Sequence, residues 1–137
     1  MYPPELLYTK DHEWIRLDED VGTIGITDHA QKELGDIVFV ELPKRGDQVT
    51  AHESFGTVES VKAVSEIFSP VTGEVTAVNS RINDRPELLN EDPHGEAWLI
   101  KVQLTDRRET ESLMTADQYE AYLEGSAGAP AAEASKG

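Results

Sequence analysis

The segment Gly56-Thr57-Val58-Glu59-Ser60-Val61-Lys62-Ala63-Val64-Ser65-Glu66-Ile67-Phe68-Ser69-Pro70 leaves few folding options. Its β-branched residues favour extended backbone, and the proline closes it. A single lysine, Lys62, stands near its middle. A strand–turn–strand over this stretch puts Lys62 at the exposed tip of a hairpin. The commonest state of a lysine is a solvated surface position. A lone amine held out on a turn is also what a modifying enzyme needs to attach a cofactor to a protein.

The rest of the chain reads mainly as β. Asp11 to Leu17 and Val21 to Ile26 form a hairpin around the acidic turn Asp18-Glu19-Asp20. Thr27 is placed to cap a short helix, Asp28 to Leu34, with Gly35 at its end. Ile37 to Leu42 is a dense β run stopped by Pro43, Lys44 to Asp47 is a turn, and Val49 starts a shorter strand. Gly73-Glu74-Val75-Thr76-Ala77-Val78 echoes Gly35-Asp36-Ile37-Val38-Phe39-Val40 on the other side of the Lys62 hairpin. Two such halves can pack face to face, each covering the apolar face of the other. Arg81 to Gly95 reads as a loop rich in Asn, Asp and Pro, and Ala97 to Leu104 as a late strand carrying Trp98. Ser112 or Thr115 can cap a helix whose apolar residues Leu113, Ala116, Tyr119 and Leu123 fall at helical spacing and which Gly125 ends. Residues 1–125 are therefore expected to form one domain. Residues 126–137, made of Ala, Gly, Ser, Pro, Glu and Lys, are expected to be a disordered tail.

Composition removes several function classes. The chain has 137 residues, 12 basic against 27 acidic, for a net charge of −15. It repels phosphate backbones and anionic lipid, so neither nucleic acid nor membrane is an expected partner. Basic docking surfaces on other proteins are favoured, and the same charge keeps copies apart as monomers. There is no cysteine, which excludes disulfides, thiolate metal sites and a cysteine nucleophile. The N-terminus has neither a basic region nor an apolar run, and no apolar stretch nears the roughly 20 residues of a membrane span. A cytoplasmic location is expected, or a mitochondrial one had a transit peptide been removed. His12, His29, His52 and His94 show no metal-ligand spacing, and there is no nucleophile elbow or phosphate loop. Nothing in the sequence marks an enzyme.

The stretch from about Tyr8 to Val102 resembles the H protein of the glycine cleavage system, a family of lipoyl carriers. The resemblance rests on His12-Glu13-Trp14, Gly25-Ile26-Thr27-Asp28-His29-Ala30-Gln31 and Leu34-Gly35-Asp36-Ile37-Val38-Phe39-Val40-Glu41-Leu42-Pro43. It continues through Val58-Glu59-Ser60-Val61-Lys62-Ala63, Ser69-Pro70-Val71-Thr72-Gly73-Glu74-Val75 and Pro86-Glu87-Leu88-Leu89-Asn90-Glu91-Asp92-Pro93. It implies a lipoyl-domain-like barrel-sandwich hybrid of two packed antiparallel sheets, with short helices including a C-terminal one. A biotinyl domain shares that architecture, but its lysine is normally flanked by methionines, and here Val61 and Ala63 stand instead.

The resemblance also implies a chemistry. Lys62 would carry lipoate in amide linkage, which removes the ammonium charge and supplies the sulfurs that this chain lacks. The family's carrier takes the aminomethyl group of glycine from a pyridoxal-phosphate decarboxylase (the P protein). It passes that group to a folate-dependent aminomethyltransferase (the T protein) and is reoxidised by dihydrolipoyl dehydrogenase (the L protein). Glu59 and Gly73 match positions read by the lipoate-attaching enzyme, although a strand-entry turn accounts for Gly73 by itself. Glu13 and Glu66 match acidic positions near the cleft that holds the loaded arm, whose protonated amine a carboxylate would bind. Asp11 stands where the family shows serine, and Glu33 near a position sometimes held by histidine; neither receives a role. Trp14 and Trp98 are read as core.

Overall fold

A two-residue strand, β1 (Leu7–Tyr8), leads into the hairpin of β2 (Glu13–Asp18) and β3 (Val21–Ile26). The first of these long strands begins at Glu13 rather than Asp11, because His12 turns the chain at a positive φ of 71°. Glu19 adopts φ 57°, as tight hairpin turns require at their first central residue. The Thr27 hydroxyl accepts the Ala30 N–H and so opens α1 (Asp28–Leu34), and Gly35 ends it at φ 81°. Next come β4 (Ile37–Glu41), β5 (Gln48–Val49), β6 (Ser54–Ser60), β7 (Val64–Phe68) and β8 (Gly73–Val78). Two short helices, α2 (Arg81–Asp84) and α3 (Leu88–Glu91), precede β9 (Ile100–Leu104). A 3-10 turn over Arg107–Ser112 leads to α4 (Ala116–Gly128). This computed structural model describes residues 2–128. No helix among them is long and apolar enough to cross a membrane.

The strands form two antiparallel sheets. One has six strands in the order β1-β2-β3-β9-β8-β5, the other three in the order β4-β6-β7. Their apolar faces meet in one cluster. Ile15, Ile24, Val75 and Val102 of the large sheet join Ile37, Val40, Val58 and Ile67 of the small one. Each inner aliphatic side chain removed from water contributes about 1.5–3 kcal/mol, which joins the two sheets more firmly than any polar contact between them. The echoed segments become β4 and β8, one in each sheet.

Three further segments differ from the sequence expectation. The expected loop from Arg81 to Gly95 holds two helical turns that bury Ile82, Leu88 and Leu89. Its Asn, Asp and Pro content masked these three apolar anchors. The late strand begins at Ile100 rather than Ala97, because the Ala97 and Trp98 N–H groups donate to Asp92 O and Gly95 O. Thr115 opens the last helix through a reciprocal capping box. Its Oγ1 accepts the Gln118 N–H, and Gln118 Oε1 accepts the Thr115 N–H. The helix passes through Gly125 and ends at Gly128. The remainder of the expected tail, 129–137, lies outside the described residues.

Helix α4 packs Ala116 and Tyr119 against Leu6, Tyr8 and Trp14 in a second small cluster, with the Tyr8 and Tyr119 rings stacked at 4.7 Å. Trp14 is fully buried and its indole N–H donates to Pro93 O, so it is core as expected.

At the start of β8, a Cβ on Gly73 would strike the Gln103 carbonyl oxygen and the Val102 side chain of β9. Backbone cannot yield there without breaking the ladder. Gly73→Ala is expected to lower stability by about 1–3 kcal/mol in urea unfolding. Gly125→Ala, which meets open space, is expected to raise it by up to about 1 kcal/mol.

Candidate functional site

Strands β6 and β7 are joined by Val61-Lys62-Ala63, and Lys62 stands exposed at the tip. One side chain organises this turn. The nearly buried Ser60 hydroxyl accepts the N–H groups of Lys62 (3.3 Å) and Ala63 (3.1 Å), while the Ser60 N–H donates to Ala63 O at 2.8 Å. Such a side-chain turn presets a tight reversal without glycine. The Val61 N–H donates to Asp36 O at 3.0 Å, which ties the tip to the chain between α1 and β4. The Lys62 stem lies over Gly35, where a Cβ would stand 3.6 Å from Lys62 Cε. Among the described residues the Lys62 amine has no ion-pair partner.

Asp36 is itself held in place by Asn90 of α3. The Asn90 amide donates to Gly35 O (2.8 Å) and Gln31 Oε1 (2.9 Å), and its carbonyl oxygen accepts the Ile37 N–H at 2.9 Å. The backbone on both sides of Asp36 is thereby fixed. Neither Ser60 nor Asn90 was singled out from the sequence. A serine two residues before Lys62 is a turn signal that could have been read. Asn90 meets partners 53 to 59 positions away, which no local pattern reveals.

The outer face of the small sheet surrounds this tip. Phe39, Glu59 and Val64 lie side by side across β4, β6 and β7, and Glu41, Thr57 and Glu66 form the next row. Phe39, Val61 and Val64 are each more than half exposed, which is unusual for large apolar groups. Glu59 and Glu66 thus share the face from which Lys62 projects. Gly73 does not; it lies in the large sheet between β5 and β9.

Glu13 occupies a different environment. It is buried, and its carboxylate accepts the Thr9 hydroxyl at 2.6 Å and the Phe68 N–H at 3.0 Å. It lines a cavity of about 260 Å³ together with Tyr8, Thr9, Asp11, Phe68 and Leu113. Glu66 does not line this cavity, although it is two residues from Phe68 on the same strand. The two acids are therefore not walls of one pocket: Glu13 lines the cavity, and Glu66 stands on the outer face of the small sheet.

Burial raises the Glu13 carboxyl from its ordinary 4.5 to about 7, against the smaller lowering effect of its two hydrogen bonds. Folded Glu13 keeps its proton where unfolded Glu13 has released it. Stability therefore falls as pH rises from about 4.5 to about 7. At about 1.4 kcal/mol per pH unit the full effect is roughly 3 kcal/mol. Glu13→Gln is expected to remove this slope, read as urea midpoints at several pH values against the parent chain. An unchanged slope would mean that Glu13 ionises freely in the folded state.

The sequence model of the family described as "Glycine cleavage H-protein" matches residues 6–126. The glycine cleavage system H protein of Geobacillus kaustophilus (strain HTA426) is 56% identical over 121 residues, covering 88% of this chain and 95% of that protein. A probable glycine cleavage system H protein of Haloarcula marismortui is 52% identical over 122 residues, covering 89% and 96%. The crystal structure of a glycine cleavage system H protein from Mycobacterium marinum superposes with a TM-score of 0.84 at 39% identity, covering 90% of this chain and 99% of that one. On fold, motifs and overall likeness together, the chain belongs to the glycine cleavage H-protein family.

Proposed function

We propose that this chain is the lipoyl carrier of a glycine cleavage system, with lipoate joined through an amide to Lys62. The observation that carries this reading is the exposed Lys62 amine, without an ion-pair partner among the described residues, on a turn that Ser60 and Asp36 hold in place. A firm anchor lets an attached arm sweep a defined volume around the tip, which raises the effective concentration of its end at a partner's site. Once attached, lipoate supplies the redox-active sulfur pair that a cysteine-free chain cannot provide.

The protein's own residues contribute recognition. The apolar and acidic face around the tip offers Glu59 to the lipoate-attaching enzyme, with Phe39 and Val64 beside it. Gly73 acts at one remove, by allowing the close approach of β8 and β9. The same face meets the glycine decarboxylase, the aminomethyltransferase and dihydrolipoyl dehydrogenase in turn, the aminomethyl unit of glycine being the cargo. Net charge supports a monomer that steers toward basic docking surfaces, and the reading places it in the cytoplasm. No residue is assigned a general acid or base role, and the carrier is not itself an enzyme.

Glu13 and Glu66 are proposed to bind the amine of the cargo. Glu13 lines the cavity, and Glu66 flanks its Phe68 wall from the outer face. A charge-assisted hydrogen bond from the amine is worth about 1.5–3 kcal/mol.

Intact mass of the protein isolated from its own cells is expected to show one lipoyl increment that Lys62→Arg abolishes. An unmodified protein, or an increment that persists in the variant, would overturn the assignment. Glu13→Gln and Glu66→Gln are each expected to speed loss of ammonia or formaldehyde from the loaded carrier about tenfold. Unchanged loss rates would strip both acids of this role.

A further inference from the structure

We propose that His12, His29 and Glu33 form a binding site for a divalent transition-metal ion of the zinc class, separate from the Lys62 site and independent of it.

The three residues come from two elements. His12 stands in the turn before β2, while His29 and Glu33 lie one turn apart on α1. Sequence spacing hides the set, because 17 positions separate the histidines; only the i,i+4 relation of His29 and Glu33 is local. In the fold, one donor atom from each lies within 4.8 Å of the others. The His29 Nε2 and Glu33 Oε2 atoms are 3.3 Å apart. That is about the edge, roughly 3.4 Å, of a tetrahedron with 2.0–2.1 Å bonds. The His12 and His29 rings stand with centroids 4.4 Å apart. His29 is part-exposed and Glu33 exposed, so both side chains have room to turn toward His12. Two imidazoles and a carboxylate are a common three-ligand set for zinc, with a fourth position left to water.

Two further features separate this cluster from an ordinary surface ion pair. The first is the backbone of His12, which holds φ 71°, a conformation that a non-glycine residue adopts at a cost. It is pinned from both sides: the His12 N–H donates to Thr9 O and the His12 carbonyl accepts the Thr27 N–H. This conformation is what carries the imidazole over α1. The second is an outer shell. His12 Nδ1 lies 2.8 Å from the Tyr119 hydroxyl, which in turn lies 2.8 Å from Thr27 Oγ1. With the Ala30 N–H already donating to Thr27 Oγ1, the chain can run from Nδ1–H to Tyr119 to Thr27. That arrangement leaves the Nε2 lone pair of His12 open, as second-shell partners of zinc histidines do. A His29–Glu33 pair alone explains neither the second imidazole nor its buried tyrosine partner. The acidic surface of the chain adds a field that concentrates cations. A bound ion would clamp the turn before β2 to α1, beside the packing of α4.

The test uses the full chain without an affinity tag, titrated with zinc against a chromogenic chelator and with cobalt(II) followed by visible absorption. Micromolar, one-to-one zinc binding and a low-coordinate cobalt spectrum are expected. His12→Gln, His29→Gln and Glu33→Gln should each weaken zinc binding at least about tenfold, and Tyr119→Phe by roughly tenfold through the outer shell. Glu33 is exposed on α1, so its variant tests the site even where a histidine variant fails to fold. Lys62→Arg should bind zinc as the parent does. Absence of micromolar zinc binding in the parent chain, or binding that Glu33→Gln and His29→Gln leave unchanged, would overturn the proposal.

Discussion

A three-stranded sheet that is apolar on one face must bury that face against another element. Strands β4, β6 and β7 persist because Val40, Val58 and Ile67 are pressed onto the six-stranded sheet. The setting of Lys62 follows from that one-sided attachment. The inner face is committed to the core, which leaves the outer face free for recognition. The hairpin between β6 and β7 can then project beyond the body of the protein with its base anchored by burial and its tip held by hydrogen bonds. Phe39, Val61 and Val64 stay uncovered because no described residue lies outside the small sheet to meet them. An apolar surface ringed by Glu41, Glu59 and Glu66 suits transient docking, since the acids keep it soluble between encounters.

Local chemistry decided how much could be read from the sequence. The Thr27 cap, the Gly35 stop, the Lys62 hairpin and the echo of β4 and β8 were legible, since each depends on residues a few positions apart. The helices α2 and α3 were not, because polar residues outnumber Ile82, Leu88 and Leu89 in that segment. The last helix overran its expected stop because Gly125 does not take the positive φ with which Gly35 ends α1. The family resemblance placed Lys62, Glu13, Glu59, Glu66 and Gly73 on the list of interest, but only the fold showed their settings. Glu13 lies under the surface with two donors, whereas Glu66 stands on an outer face. Gly73 has a steric reason to be glycine that needs no partner protein.

Long-range polar contacts were the least legible class. Asn90 ties α1, Gly35 and Ile37 together, and Phe68 ties β7 to Glu13 across 55 positions. Such bonds contribute only about 0.5–1.5 kcal/mol each, so they leave little trace in hydrophobic patterning. They matter because they orient segments that burial alone would leave loosely placed. The proximity of His12 to His29 belongs to the same class, being set by a turn, a cap and a tyrosine from three separate parts of the chain.

The turn beneath Lys62 is built without Lys62. Ser60 satisfies the backbone of the turn, Asp36 receives Val61, and the lysine contributes only its own N–H. Among the described residues its ammonium group has no ion-pair partner. Removing that charge alone therefore leaves the folding equilibrium almost untouched. A change confined to the ammonium registers at the tip, and a partner that tells altered from unaltered chains must touch the side chain rather than sense a change of shape in the scaffold.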